Sequence, residues 1–276
     1  MTMFHNLSPH GGPPSPDPSV PAGYRVYAIG DIHGRLDLLN DTLARIEADI
    51  DGRRPARNII IFLGDLIDRG PDSATVVERL RTYRRDGVRT VFLSGNHEEV
   101  LLRLIRGESR YLSDWLTFGG EECARSYGIS STALKRMDAD QAVAHLRQKI
   151  PETHRNFLQQ FVDTFQVGSY LFVHAGVRPG VPLAQQNQAD LRWIRGPFLD
   201  NHDDHGFVVV HGHTIAADVD VRANRIGIDT GAYRTGVLTA MGMEGRERWY
   251  LQTNAGPAAG QSATAPQLVA NRDGGW

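Results

Sequence analysis

Tyr24-Arg25-Val26-Tyr27-Ala28-Ile29-Gly30-Asp31-Ile32-His33-Gly34 couples a β-rich run to a glycine-flanked turn that carries a carboxylate and an imidazole. Apolar residues then recur at Leu36, Leu39, Leu43, Ile46 and Ile50. That spacing is helical, so the unit reads as strand, turn, helix. The order repeats twice. Asn58 to Leu63 runs into Gly64-Asp65-Leu66-Ile67-Asp68-Arg69-Gly70 and a helix through Val76, Val77 and Leu80. Val88 to Leu93 runs into Ser94-Gly95-Asn96-His97-Glu98 and a helix through Val100, Leu101, Leu104 and Ile105. Consecutive units of this kind predict βαβ crossovers and parallel strands. In such sheets ligands bind beyond the carboxyl ends of the strands, so the three turns are expected to converge on one crevice.

From Tyr111 to Phe165 the pattern is mainly helical. Strand-like runs return at Ser169 to Val173, Phe207 to Val210, Arg225 to Ile228, Val237 to Met241 and Arg248 to Leu251. These later strands are expected to form a second sheet packed on the first. Six of the 14 prolines fall between Pro9 and Pro21 among Gly and Ser. Residues 1–22 are therefore expected to be a flexible tail, as are the Ala-, Gly- and Gln-rich residues 255–276. A catalytic domain over 23–254 remains, with a helical insertion at about 110–165 that is placed to cap the site or simply to pack against it.

Composition narrows the function classes. With 41% hydrophobic and 22% charged residues, the 276-residue chain is of ordinary globular type. A net charge of −2 argues against nucleic acid or a membrane surface as the main partner. The single cysteine, Cys123, excludes an intramolecular disulfide and a thiolate zinc site, and points to a reducing, cytoplasmic setting. No apolar run approaches the roughly 20 residues of a membrane span, and the first twenty residues lack a signal-like apolar core.

The chemistry lies in what the turns carry. His174 follows Leu171-Phe172-Val173, and His211-Gly212-His213-Thr214 follows Val208-Val209-Val210. With the first three turns, this makes five strand ends bearing Asp, Asn or His, donors suited to Mn, Fe, Zn or Mg. A lone Gly-Asp is ordinarily a turn or a cap, and a lone histidine after a strand is ordinarily structural. Five together exceed what turn chemistry accounts for.

In order, Gly30 to Gly34, Gly64 to Gly70, Gly95 to Glu98, the Val173-His174-Ala175-Gly176 strand end and His211 to Thr214 resemble the phosphoprotein phosphatase branch of the calcineurin-like metallophosphoesterases. The likeness is strongest to its bacterial and lambda-type serine/threonine phosphatases. Trp115 to Gly128, Leu191 to Phe198 and Arg225 to Tyr233 resemble a bacterial subgroup of the same kind. The resemblance implies an α/β fold of two packed mixed β-sheets flanked by helices, a four-layer sandwich with a helical insertion. It implies that Asp31 and His33 hold one divalent ion, that Asp65 bridges two, and that Asn96, His174 and His213 hold the other. Manganese is the first expectation, with iron, zinc or magnesium as alternatives. His213 is preferred to His211 because it directly precedes Thr214. Many phosphodiesterases and nucleases of the superfamily carry a second histidine where this chain has Ile215, a departure that favours phosphatases and dinucleoside-polyphosphate hydrolases.

The implied mechanism is in-line attack of metal-activated hydroxide on phosphorus. Arg69, Arg195 and Asn96 would bind the phosphate, and His97, oriented by Asp68, would protonate the leaving oxygen. Glu98 and Glu99 are expected to begin a helix, where negative charge is favourable. The cluster of His202, Asp203, Asp204 and His205 is expected to be a solvated loop, and Asp229 and His211 receive no role. The leading expectation is a serine/threonine protein phosphatase acting on phosphoproteins. The alternative is symmetrical hydrolysis of diadenosine tetraphosphate or a similar dinucleotide, which would make the partner a phosphorylated small molecule. A catalytically inactive phosphopeptide-binding module is a third reading, opposed by the complete ligand set.

Overall fold

The structure is a computed structural model and describes residues 17–253. Expectations for 1–16 and 254–276 lie outside the described residues. Within the first 22 residues, Val20 is buried and its N–H donates to the Gly245 carbonyl at 2.8 Å.

The three opening units fold as their periodicity predicts. Strand β1 (Tyr24–Ile29) leads to helix α1 (Leu36–Gly52), β2 (Arg57–Phe62) to α2 (Ser73–Thr82), and β3 (Val88–Phe92) to α3 (Asn96–Ile105). β1 pairs in parallel with β2, and β2 with β3. Five short helices follow: α4 (Leu112–Trp115), α5 (Glu121–Ser126), α6 (Ser131–Leu134), α7 (Ala139–Lys149) and α8 (Glu152–Leu158). Next come β4 (Thr164–Val167), β5 (Tyr170–Val173), α9 (Gln188–Trp193), α10 (Gly196–Leu199), β6 (Val208–His211), β7 (Asp220–Val221) and β8 (Arg225–Gly227). The described chain closes with α11 (Ala232–Thr235), β9 (Thr239–Glu244) and β10 (Glu247–Gln252).

Two five-stranded sheets result, in the orders β10-β9-β1-β2-β3 and β4-β5-β6-β8-β7. The later strands do not all join the second sheet as expected. β9 and β10 return to the first, where β9 pairs antiparallel with β1 along its free edge. β1 is buried on both faces, so its second edge needs a hydrogen-bonding partner that solvent cannot supply. β4 was hidden at the end of the helical-looking stretch, because four residues are too few to show a period.

Alternation along the strands builds the layers. Val26, Ala28, Ile59 and Ile61 face Tyr170, Phe172, Val208 and Val210 between the sheets. The opposite face of the first sheet, with Tyr27, Ile29, Ile60 and Phe62, is covered by α1 to α3 and by Leu112, Trp115, Cys123 and Leu146 of the 110–165 stretch. The outer face of the second sheet packs Leu171, Val173 and Val209 against Leu191 and Phe198. Helices on both outer faces of two stacked sheets make four layers. Among the described residues no helix is long and apolar enough to cross a membrane.

Candidate active site

The turns after β1, β2, β3, β5 and β6 meet at one end of the sandwich, and Asp31, His33, Asp65, Asn96, His97, His174 and His213 are all buried there. The backbone is bent to place them. Five non-glycine residues have left-handed φ among those described: His33 (46°), Asp65 (48°), Asp68 (70°), Arg69 (65°) and His213 (63°). Each such conformation costs about 1–3 kcal/mol, and strain of this sort collects where a side chain must be aimed. Gly64, at φ 101°, permits the close approach beside it, since a Cβ there would stand 2.6 Å from Gly95 N.

The imidazoles are held by their rear nitrogens. His33 Nδ1 donates to the Ile67 carbonyl at 2.8 Å, and His174 Nδ1 donates to the Leu63 carbonyl at 2.8 Å. Their Nε2 lone pairs therefore turn inward, each 3.5 Å from an Asp65 carboxylate oxygen. His174 Nε2 and His213 Nδ1 both lie 3.0 Å from Asn96 Oδ1. The His213 N–H donates to both Asp31 oxygens, at 3.2 and 3.1 Å. Burial holds His33, His174 and His213 below the ordinary histidine range, the neutral form that ligates metal.

Two ion-sized groups of donors result, His33 with Asp65 and His97, and Asp65 with His174 and His213. The donor set fits divalent cations on physical grounds. His174 Nε2 presents a lone pair to the Asn96 oxygen, an acceptor facing an acceptor, which a cation between them would relieve. Three buried carboxyls also crowd together. Burial, then the charges of Asp229 and Asp65, push Asp31 well above the usual carboxylate range, and burial pushes Asp229 up to about 6. Burial also pushes Asp65 up, but any positive charge on the surrounding imidazoles, His174 first, favours its ionised form, and the balance keeps that carboxyl below the usual range.

Beside the donors, His97 Nδ1 donates to Asp68 Oδ2 at 2.6 Å. Its other nitrogen, Nε2, then accepts from Arg69 NH2 at 3.2 Å. Arg195 reaches the same pocket, its NH2 3.5 Å from the His213 carbonyl. The structure thus brings together every residue proposed from the sequence for metal, phosphate or proton transfer. His205 lies elsewhere, stacked on Phe198 with ring centroids 5.9 Å apart, and neither it nor His202 belongs to an ion-sized group among the described residues. His211 is enclosed behind the centre, its Nδ1 3.0 Å from the Gly212 carbonyl and its ring 5.1 Å from that of Phe198.

Three participants escaped the sequence. Glu98 does begin α3, but its fully buried carboxylate also accepts from the N–H groups of Asp65 (2.9 Å), Leu66 (2.8 Å) and Gly95 (3.0 Å). It ties the second turn to the third. Burial and the Asp65 charge push it up to about 8. Its position three residues into the helix after Gly95 was the available signal. Tyr233 lies against His33, with ring centroids 5.3 Å apart, and under the Arg69 guanidinium, 4.8 Å from its ring centroid. Trp115 donates its indole N–H to Asp68. Both aromatic residues lie in stretches marked by the subgroup resemblance, Trp115 to Gly128 and Arg225 to Tyr233, but that resemblance assigned neither a role.

Comparison with known proteins gives this site a context. The calcineurin-like phosphoesterase family matches residues 24–233. The symmetrical bis(5'-nucleosyl)-tetraphosphatase of Methylococcus capsulatus is 34% identical over 154 residues, 56% of this chain and 44% of that protein. The asymmetrical bis(5'-nucleosyl)-tetraphosphatase PrpE of Anoxybacillus flavithermus is 26% identical over 233 residues, 77% of this chain and 88% of that protein. The chain thus spans less than half of the first relative and most of the second. A crystal structure of a candidate diadenosine tetraphosphatase superposes with a TM-score of 0.57 at 22% identity, over 85% of this chain and all of that one, a likeness of fold. The expectation of a serine/threonine protein phosphatase is overturned by the names these relatives carry. That expectation rested on turn motifs that hold metal and phosphate, which are blind to what the phosphate is attached to. The match over 24–233, with five strand-end turns gathered on one buried donor set, establishes that the chain belongs to the calcineurin-like phosphoesterase family.

Proposed function

We propose that this chain hydrolyses dinucleoside tetraphosphates, cutting diadenosine tetraphosphate symmetrically into two ADP molecules. The similarity to bis(5'-nucleosyl)-tetraphosphatases carries this reading, with the higher identity on the symmetrical side. Asp31, His33, Asp65, Asn96, His174 and His213 would hold two divalent ions, manganese first among the candidates. When bound, such ions polarise a phosphoryl oxygen and lower the pKa of water.

The geometry supports roles for the remaining groups. Arg69 and Arg195 reach the pocket with planar forks that can each grip two phosphate oxygens. Arg69 rests on His97 Nε2 in this arrangement. A bound phosphate would draw the guanidinium away, leaving that nitrogen to carry the proton for the leaving oxygen while Nδ1–H stays on Asp68. Trp193, 6.4 Å from His213, and Tyr233, 5.3 Å from His33, set aromatic rings beside the donors.

The test is product analysis with manganese-loaded enzyme on diadenosine tetraphosphate, beside a phosphopeptide. The expected result is ADP alone, with kcat/KM at least about a hundredfold above that for the phosphopeptide, a difference of about 2.7 kcal/mol. ATP plus AMP would reverse the symmetry assignment, and no hydrolysis of the dinucleotide would remove the reading.

A further inference from the structure

The Trp115-Leu116-Thr117-Phe118-Gly119-Gly120 segment of the helical stretch touches the reaction machinery at two points. The Trp115 indole N–H lies 3.2 Å from Asp68 Oδ1 and 3.1 Å from Oδ2, and both residues are buried. Four residues on, the Gly119 carbonyl accepts the Arg69 N–H at 3.0 Å. Gly119 has φ 113°, and a Cβ there would stand 2.5 Å from Arg69 N. A Cβ at Gly120 would stand 2.3 Å from the Trp115 ring. The two glycines let the segment kink and leave room for Arg69 beside Gly119 and for the indole beside Gly120.

Asp68 is fully buried, so the direction of its carboxylate is set by its protein partners, among them the buried Cys123 side chain. His97 supplies one, at 2.6 Å. The Ser73 side chain lies 3.0 Å from the Asp68 N–H and so fixes the backbone. An indole is a donor only. It therefore holds the carboxylate without competing for the proton that Nδ1 of His97 presents.

We propose that Trp115 is a positioning residue for proton donation, fixing the Asp68 carboxylate so that His97 keeps its proton on Nδ1 toward Asp68 and aims Nε2 at the leaving oxygen. The helical stretch is then a working part of the site through this contact. The proposal rests on the phosphoric-ester-hydrolase reading but not on the dinucleotide. In the step it serves, a water oxygen bonds to phosphorus and loses a proton to solvent. The phosphorus bond to the leaving oxygen breaks, that oxygen keeps the electron pair, and it takes the proton from His97 Nε2.

Aryl phosphates test this with manganese-loaded full-length enzyme. Phenyl phosphate has a basic leaving group and needs an acid; 2,4-dinitrophenyl phosphate does not. Trp115→Phe is expected to lower kcat on phenyl phosphate by about 10- to 100-fold, the range of one hydrogen bond to a charged group, and to leave 2,4-dinitrophenyl phosphate within about threefold. Equal losses on both substrates would overturn the proposal. Because Trp115→Phe also opens a cavity, a second variant carries benzothienylalanine at this position, with sulfur in place of the N–H and the same ring shape. It is expected to give the same selective loss, and wild-type behaviour would overturn the proposal independently. Failure of the wild type on both aryl phosphates and on diadenosine tetraphosphate would sink the hydrolase reading and the proposal with it. Hydrolysis of aryl phosphates without hydrolysis of diadenosine tetraphosphate would remove only the substrate assignment.

Discussion

His97 Nδ1 and Asp68 Oδ2 lie 2.6 Å apart, with both side chains buried. A charge-assisted bond this short fixes the ring and its tautomer together. In the proposed role, removal of His97 acts first on proton transfer. His97→Ala is expected to lower kcat by about 10²- to 10⁴-fold, the usual worth of a positioned acid, with metal content near wild type. His97 also belongs to one ion-sized donor group, so metal analysis of the variant is the deciding measurement. Loss of an ion would make His97 a ligand.

Three buried carboxyls share the centre with imidazoles that burial keeps neutral. Bound divalent ions should therefore stabilise the fold as well as complete the site. Manganese at about 100 times its dissociation constant is expected to add about 2.7 kcal/mol to unfolding, seen as a rise in Tm that EDTA reverses. His174→Ala and His213→Ala should each lose one ion of two and most of that rise. Two retained ions in either variant would refute the ligand assignment.

Glu98 satisfies three buried N–H groups in two different turns. Truncation leaves all three without an acceptor, at about 1–3 kcal/mol each. Glu98→Ala is expected to cost at least about 3 kcal/mol in urea unfolding and to weaken metal binding, because Asp65 rides on the released turn. Glu98→Gln should recover part of both. A Glu98→Ala protein within about 1 kcal/mol of wild type would show that the clamp is dispensable.

His211 is buried with its pKa lowered to about 4, by burial first, against 6.5 for an ordinary histidine. Above pH 6.5 both folded and unfolded chains hold it neutral, and it adds no pH dependence. As pH falls from 6.5 toward 4, the unfolded chain takes up a proton that the folded one refuses, so stability is lost, by up to about 3 kcal/mol. His211→Gln should flatten this acid limb relative to wild type, measured as urea midpoints at pH 5 and 7.5. Parallel limbs would assign the acid sensitivity to other groups.

Much of the site was legible because strand ends are local. A β-rich run followed by Gly-Asp, Gly-Asn or His needs only neighbouring residues to be recognised, and parallel topology then sends every such turn to one end of the sheet. That reasoning gathered five donor-bearing turns before any distance was known, and the resemblance to the metallophosphoesterases then picked Asp31, His33, Asp65, Asn96, His97, His174 and His213 from among their residues. The substrate was not legible in this way, and the protein-phosphatase expectation failed there. Metal and phosphate ligands are common to many esters, whereas selectivity depends on groups outside the turns.

The sequence by itself determined the three strand-turn-helix units, the donor types and the order in which they arrive, since these follow from period and turn chemistry within about a dozen residues. Tertiary structure alone decided that β9 closes the open edge of β1, that Glu98 ties two turns together, and that Trp115 and Tyr233 meet Asp68 and Arg69 from segments 47 and 164 residues away. Such contacts carry no local period. They exist because buried carboxylates and N–H groups must find partners wherever the packed layers bring them.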